Sequence, residues 1–188
     1  MRDSTRTGLL AAITALVLAL AIPAAASASD PYADLLAPES ACPGQSDVSL
    51  PAAAQVQTMI CLHRWARNQK HLSGLSVSKQ LRASAARKAH DIRRCHQFSH
   101  YACGRNAFYW EQRVGFFRGT FGAGENLALT YGVDSTPRAT MDLWLNSPEH
   151  RRNLLSPRYR NVGMALVTGS FAGNSGAHIW VAEFGYHH

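Results

Sequence analysis

Apolar positions along this chain follow two periods, a helical one through most of its length and a strand-like one at its end. Val56, Met59, Ile60, His63 and Ala66 recur three and four residues apart, which predicts a helix from about Ala52 to Gln69, closed near Gly74. Leu81, Ala85, Ala89 and Ile92 form a second stripe, with Ser78 as its N-cap and an end near His96. From Asn106 to Phe117 the apolar residues Phe108, Trp110, Val114 and Phe116 alternate with polar ones, predicting a shorter helix. Gly115, Gly119, Gly122 and Gly124 then predict a flexible, turn-rich passage.

Thr136-Pro137 opens another helix, whose buried face is Met141, Trp144 and Leu145. Ser147-Pro148 repeats the device and starts a short helix carrying Glu149, His150, Leu154 and Leu155, which Pro157 closes. The period then changes. Val162 to Thr168 and His178 to Tyr186, rich in β-branched and aromatic residues, predict a hairpin across the turn Gly169 to Gly176. Helices followed by strands imply an α+β class, with helices layered on a mostly antiparallel sheet.

The N-terminus falls outside this pattern. Arg2 and Arg6 precede a fourteen-residue apolar run, Leu9 to Ile22, and Pro23 with Ala24-Ala25-Ala26-Ser27-Ala28 follows it. This reads as a secretory signal over residues 1–28, since the run is shorter than the roughly 18–20 residues that span a bilayer. Residues 29–51, with Pro31, Pro38, Pro43 and Pro51, are expected as an extended lead-in held by Cys42, and residues 52–188 as one domain. No transmembrane segment is expected after signal removal, and the expected location is secreted. All four cysteines follow the signal, so export brings them to an oxidising compartment where disulfides form. Three pairings are open; proximity favours Cys42 with Cys61 and Cys95 with Cys103. The absence of any C-x-x-C pair argues against a cysteine zinc site.

Charge narrows the partners. The formal net charge is +7, and removal of Arg2, Asp3 and Arg6 with the signal leaves +6. That balance suits an anionic envelope or lipid surface. Nucleic acid is not expected: Arg82, Arg87, Arg93 and Arg94 spread along one helix as a solvated face, without a groove-reading element or interleaved exposed aromatics.

Several fragments then occur in a telling order. They are Arg64 to Leu75, Leu81 to Ile92, Phe98-Ser99-His100, Gly124-Glu125-Asn126-Leu127-Ala128, Trp144 with Ser147-Pro148-Glu149-His150-Arg151 and Asn153-Leu154-Leu155, Val162-Gly163-Met164-Ala165, and Ile179 to Gly185. This succession resembles the CAP superfamily (cysteine-rich secretory protein, antigen 5, pathogenesis-related 1), in particular its bacterial, SCP-like extracellular members. The resemblance implies a three-layer α-β-α sandwich with a shallow cleft, where two histidines and one or two glutamates converge. Matched residue by residue, these are His100, His150 and Glu125. The second glutamate of eukaryotic members falls here on Ser147, and Glu149 replaces it only if its side chain turns into the cleft.

His100, His150 and Glu125 are a suitable ligand set for zinc or a similar divalent ion, with a position left for water. Metal-assisted hydrolysis would use the same set with Glu149 as base. The blander alternative is that the three side chains hydrogen-bond one another and only fix their loops. Ser99 lies beside His100 without a Gly-x-Ser-x-Gly elbow and is expected as a turn residue. The remaining histidines are expected in solvated or core roles. Phe108, Tyr109, Trp110, Phe116, Phe117 and Phe121 are expected mostly to pack on the sheet, or to wall a lipid-tail site if exposed. The expected function is a non-catalytic extracellular binding module for a divalent metal ion, an apolar lipid-like ligand, or both. The alternatives are a metal-dependent hydrolase in the same cleft, or an envelope interaction protein with a vestigial cleft.

Overall fold

The computed structural model describes residues 30–187; the expected signal over residues 1–28 lies outside the described residues. Five helices and four strands follow in chain order: α1 (Ala52–Gln69), β1 (Ser76–Val77), α2 (Lys79–Cys95), α3 (Tyr109–Arg113), β2 (Phe121–Tyr131), α4 (Pro137–Asn146), α5 (Pro148–Leu154), β3 (Asn161–Phe171) and β4 (Asn174–His187). The sheet order is β1-β3-β4-β2, antiparallel except for the short parallel pairing of β1 with β3.

Local chemistry explains where the helices begin. Ser78 Oγ accepts the Leu81 amide at 3.3 Å, and Thr136 Oγ1 accepts that of Ala139 at 3.1 Å, so both act as N-caps. Pro137 and Pro148 occupy first-turn positions, where a missing N–H costs nothing. The hairpin of β3 and β4 is tighter than its glycines suggest: the strands run on to the pair Phe171 and Asn174, and the turn is Ala172-Gly173, both at positive φ.

β4 is covered on both faces and reads as a continuous apolar run for that reason. Trp180, Ala182 and Phe184 face one layer, with Met59 and Leu62 of α1, Met141 and Trp144 of α4 and Leu154 of α5. Ile179 and Val181 face the other, with Ala85, Ala89 and Ile92 of α2. The two clusters make the expected three layers. α2 comes so close to β3 that a Cβ on Gly163 would lie 2.1 Å from the backbone of Leu81 and Arg82.

Two sequence expectations need correction. The turn-rich passage ends early, because Phe121–Tyr131 is an eleven-residue strand paired along its length with β4. Its glycines are contact positions: a Cβ on Gly122 would lie 2.5 Å from the Tyr186 ring, and one on Gly124 2.5 Å from the Tyr159 hydroxyl. The lead-in, joined to α1 by Cys42–Cys61, is a folded strap and not extended chain. It makes a 3-10 turn at Ala33–Leu35 and buries Leu35 and Ala37 completely. Arg138 and Gln45 then satisfy the Ala37 carbonyl.

Among the described residues no helix is long and apolar enough to cross a membrane.

Candidate functional site

β2 lies at the edge of the sheet, and side chains from α4, α5 and the loop after α5 occupy its outward carbonyls. Tyr159 Oη donates to Ala123 O at 2.9 Å, Asn153 Nδ2 to Glu125 O at 3.2 Å, and Trp144 Nε1 to Leu127 O at 3.0 Å. Asn126 Nδ2 donates to the carbonyl of His150 at 2.9 Å, and Asn153 Nδ2 also reaches Asn126 Oδ1 at 2.9 Å. These bonds close a sheet edge that would otherwise pair with foreign strands. They also set α5, with His150, against the strand that carries Glu125.

His100 arrives from the other layer, on the loop after α2. Cys95–Cys103 ties that loop to the helix end, and Ser99 Oγ accepts the Tyr101 amide at 3.0 Å, a turn role. Lys88, on α2, is almost fully buried and donates to the carbonyls of His100 and of Ala107, the latter at 3.2 Å. One side chain therefore ties two points of the loop between α2 and α3, at His100 and at Ala107.

At the centre, His100 Nδ1 lies 2.5 Å from Glu125 Oε1, and Lys88 Nζ lies 3.5 Å from Glu125 Oε2. Burial pushes the Glu125 carboxyl upward, opposed by the His100 hydrogen bond and the Lys88 charge. An ionised carboxylate only accepts, so Nδ1 is the donor and Nε2 is the nitrogen left for the cleft. His150 sits across the cleft; burial first, and then the charge of His100, lower its pKa, so its ring is neutral at pH 7.

The cleft encloses about 340 Å³. His100, Glu125, Glu149 and His150 line it together, with Arg152 and Asn153 at one side and Tyr101, Ala107 and Phe108 at the other. Four of the five residues picked out by sequence thus meet. Ser147 does not line the cleft; it is the joint between α4 and α5, its amide donating to Leu143 O and its carbonyl accepting from Arg151.

His100, His150 and Glu125, the expected metal set, share the cleft, with Glu125 turned toward other partners. Glu125 is engaged by Lys88 and His100, and among the described residues no three His, Cys, Asp or Glu side chains are placed to hold a metal ion. The donor chemistry makes Glu125 an orienting partner of the His100 ring.

Behind Glu125 lies a feature that sequence reasoning missed. Glu183 is directly opposite Glu125 in the pairing of β2 with β4, and both Glu183 and Glu111 of α3 are completely buried. Burial above all, and then the charges of Glu125 and Glu111, hold the Glu183 carboxyl well above the usual range. A protonated Glu183 supplies a hydrogen to Glu111, whose oxygens otherwise find no donor. Two signals marked this cluster: Lys88 falls within the apolar stripe of α2, and Glu183 stands inside an apolar run that fills a doubly covered strand.

The other residues singled out by sequence divide cleanly. His63 is core: burial lowers its pKa to about 4, and its ring meets Trp144 edge-on at 5.5 Å. Trp110 Nε1 donates to Asp91 at 2.8 Å, and Phe116 is buried. Phe117 stacks on the exposed Phe121 at 4.2 Å and meets Phe108 edge-on at 6.4 Å, so a short aromatic shelf leads to the cleft.

Residues 61–184 match the cysteine-rich secretory protein family, CAP. The chain belongs to the CAP family. Among similar proteins is the uncharacterized protein YkwD of Bacillus subtilis, 29% identical over 119 residues, which are 63% of this chain and 42% of that protein. The CAP chain therefore spans less than half the length of this relative. An outer surface protein of Borrelia burgdorferi superposes with a TM-score of 0.61 at 17% identity, over 74% of this chain and 97% of that one. An extracellular SCP-domain protein of Bacillus anthracis gives 0.56 at 22% identity, over 72% of this chain and 43% of that one. Both likenesses concern the fold, and the CAP fold agrees with the α-β-α order described above.

Proposed function

We propose that this CAP protein is an exported, non-catalytic binding module whose cleft takes a polar ring-bearing ligand, such as a sugar acid. One observation carries the reading: the acid at the cleft floor, Glu125, is satisfied from within by Lys88 and His100. Its Oε1 is taken by the His100 ring, and its Oε2 is buried beside the Lys88 ammonium and away from solvent, where it is poorly placed to draw a proton from a bound water or to attack a substrate. What faces the cleft instead is a set of recognition groups. His100 Nε2, the His150 ring, Glu149 and the exposed Arg152 offer hydrogen bonds and one charge of each sign, while Tyr101 and Phe108 offer flat apolar walls. That mixture is too polar for a lipid tail alone. The two disulfides and the leading Arg-plus-apolar segment support an oxidising, external location.

The probe is galacturonate monomer, titrated into uniformly labelled protein. The His100 and His150 imidazole resonances are expected to shift and saturate at millimolar concentration. His150→Ala should weaken the affinity by about tenfold, the loss of roughly one charge-free hydrogen bond and its packing. Unmoved imidazoles, or turnover of p-nitrophenyl acetate that depends on His150, would overturn the reading.

A further inference from the structure

Beside the cleft lies a run of positive charge that nothing above explains. Arg151, Arg152, Arg158 and Arg160 fall on α5 and the loop leading to β3, and no carboxylate answers them: among the described residues none joins an ion pair. Arg151 turns away, donating to Leu145 O and lying 4.1 Å over the Tyr32 ring. The other three line connected hollows. Arg152 and Asn153, which form one side of the cleft, also line a depression of about 270 Å³ shared with Arg158 and Tyr186. Arg158 and Tyr186 continue into a second, of about 450 Å³, lined by Arg160, Thr120 and Pro157.

The path holds no acidic side chain beyond the cleft itself. Its guanidiniums are held open by neutral partners: Arg158 Nη2 donates to Tyr186 Oη at 2.7 Å, and Arg160 Nη1 to the Pro157 carbonyl and, at 3.1 Å, to that of Tyr159. Beneath it, Arg67 is itself shifted downward, by burial first and by the charge of Arg160 second. The groove thus carries uncompensated positive potential that an anion would relieve.

We infer that this groove binds a linear acidic glycan, one ring seated in the cleft and successive acid groups laid on Arg152, Arg158 and Arg160. The inference rests on the cleft reading and extends it from one ring to a chain. Guanidinium forks match carboxylates or phosphates in two-point contacts, and the Arg158 fork is set at mid-path by the Tyr186 ring, over which it lies at 5.4 Å. A membrane surface fits less well: these arginines line hollows, and the exposed Phe121, beside Thr120 of the groove, points to the opposite face of β2 from Gly122 and Tyr186. Single-stranded nucleic acid would want a series of stacking rings, and the two in the groove are engaged already, Tyr159 stacked on Phe184 and Tyr186 overlain by Arg158.

The test compares tetragalacturonate, galacturonate monomer and neutral maltotetraose on the full mature chain. The tetramer is expected to bind about tenfold or more tighter than the monomer, since linked acids act at high effective concentration. Arg152→Gln/Arg158→Gln/Arg160→Gln should abolish that gain. The equal charge loss Lys79→Gln/Arg82→Gln/Arg87→Gln, on the exposed face of α2, should leave it intact. In the wild type, independently of any variant, the arginine side-chain NH resonances of the three groove residues should move with tetramer and stay still with monomer for Arg158 and Arg160. Equal binding of maltotetraose, equal loss in the α2 variant, or tighter partition onto phosphatidylglycerol vesicles through the same three arginines would overturn the inference. A tetramer no tighter than a bound monomer removes the groove alone; failure of the monomer in the wild type removes the cleft reading.

Discussion

Lys88→Met should destabilise the protein by about 3–5 kcal/mol, the range for removing one partner of a buried ion pair. Three losses coincide. Glu125 is left as a buried, uncompensated carboxylate; the carbonyls of His100 and Ala107 lose their donor; and Glu183 loses the one charge that favours its ionisation. For a domain of this size the melting temperature should fall on the order of 10 °C. Adding Glu125→Gln to Lys88→Met should recover much of the loss, because the stranded charge leaves with it. Thermal and urea unfolding of the three variants measure this directly. A single variant within about 1 kcal/mol of wild type would show that the ammonium is not needed.

Glu183→Gln should stabilise the protein, and more so as pH rises. The folded carboxyl is raised while the unfolded one titrates at the ordinary value, so between those two pH values the folded state holds a proton that the unfolded state has released. That proton is fully retained by both states below the ordinary value, where the variant and wild type should match. Above it the wild type loses stability until the folded carboxyl itself ionises, whereas the amide donates to Glu111 at every pH. The gain is expected to be clear at pH 8 and close to nil near pH 4. Melting curves across that range decide it; a gain independent of pH would mean better packing and not a relieved proton.

Why these two residues escaped the sequence reading is instructive. The helices were legible because their apolar residues recur at helical spacing and their starts carry Ser78, Thr136, Pro137 and Pro148 in the positions that first turns favour. The strands β3 and β4 were legible from β-branched and aromatic runs. β2 was not, since Gly122 and Gly124 look like turn residues until the Tyr186 and Tyr159 rings are seen lying over them. The cleft histidines and Glu125 were found through ordered motifs, not through periodicity. Lys88, Glu111 and Glu183 are charged residues at buried positions, and a charge is read as exposed unless its partners are known; those partners come from α2, α3, β2 and β4, far apart in sequence.

The same convergence assigns the motif residues their physical tasks. Asn126, Trp144, Asn153 and Tyr159 are edge-strand partners that fix β2 against α4, α5 and the loop beyond, which is why they accompany Glu125 and His150 in the sequence. Glu125 in turn orients His100 and neutralises Lys88. The cleft is therefore built by carboxylate, ammonium and imidazole acting on one another, and it presents to solvent a preset ring nitrogen beside the exposed Glu149.

The most direct measurement of that claim is the long-range proton–nitrogen spectrum of the His100 ring at pH 7, recorded before and after one equivalent of zinc. Glu125 as orienting partner requires a protonated Nδ1 that stays protonated on zinc addition, with a strongly downfield proton that disappears in Glu125→Ala. An Nδ1 without its proton, or one that loses it as zinc enters with a matching change at the Glu125 carboxyl, would make Glu125 a metal ligand and contradict the account.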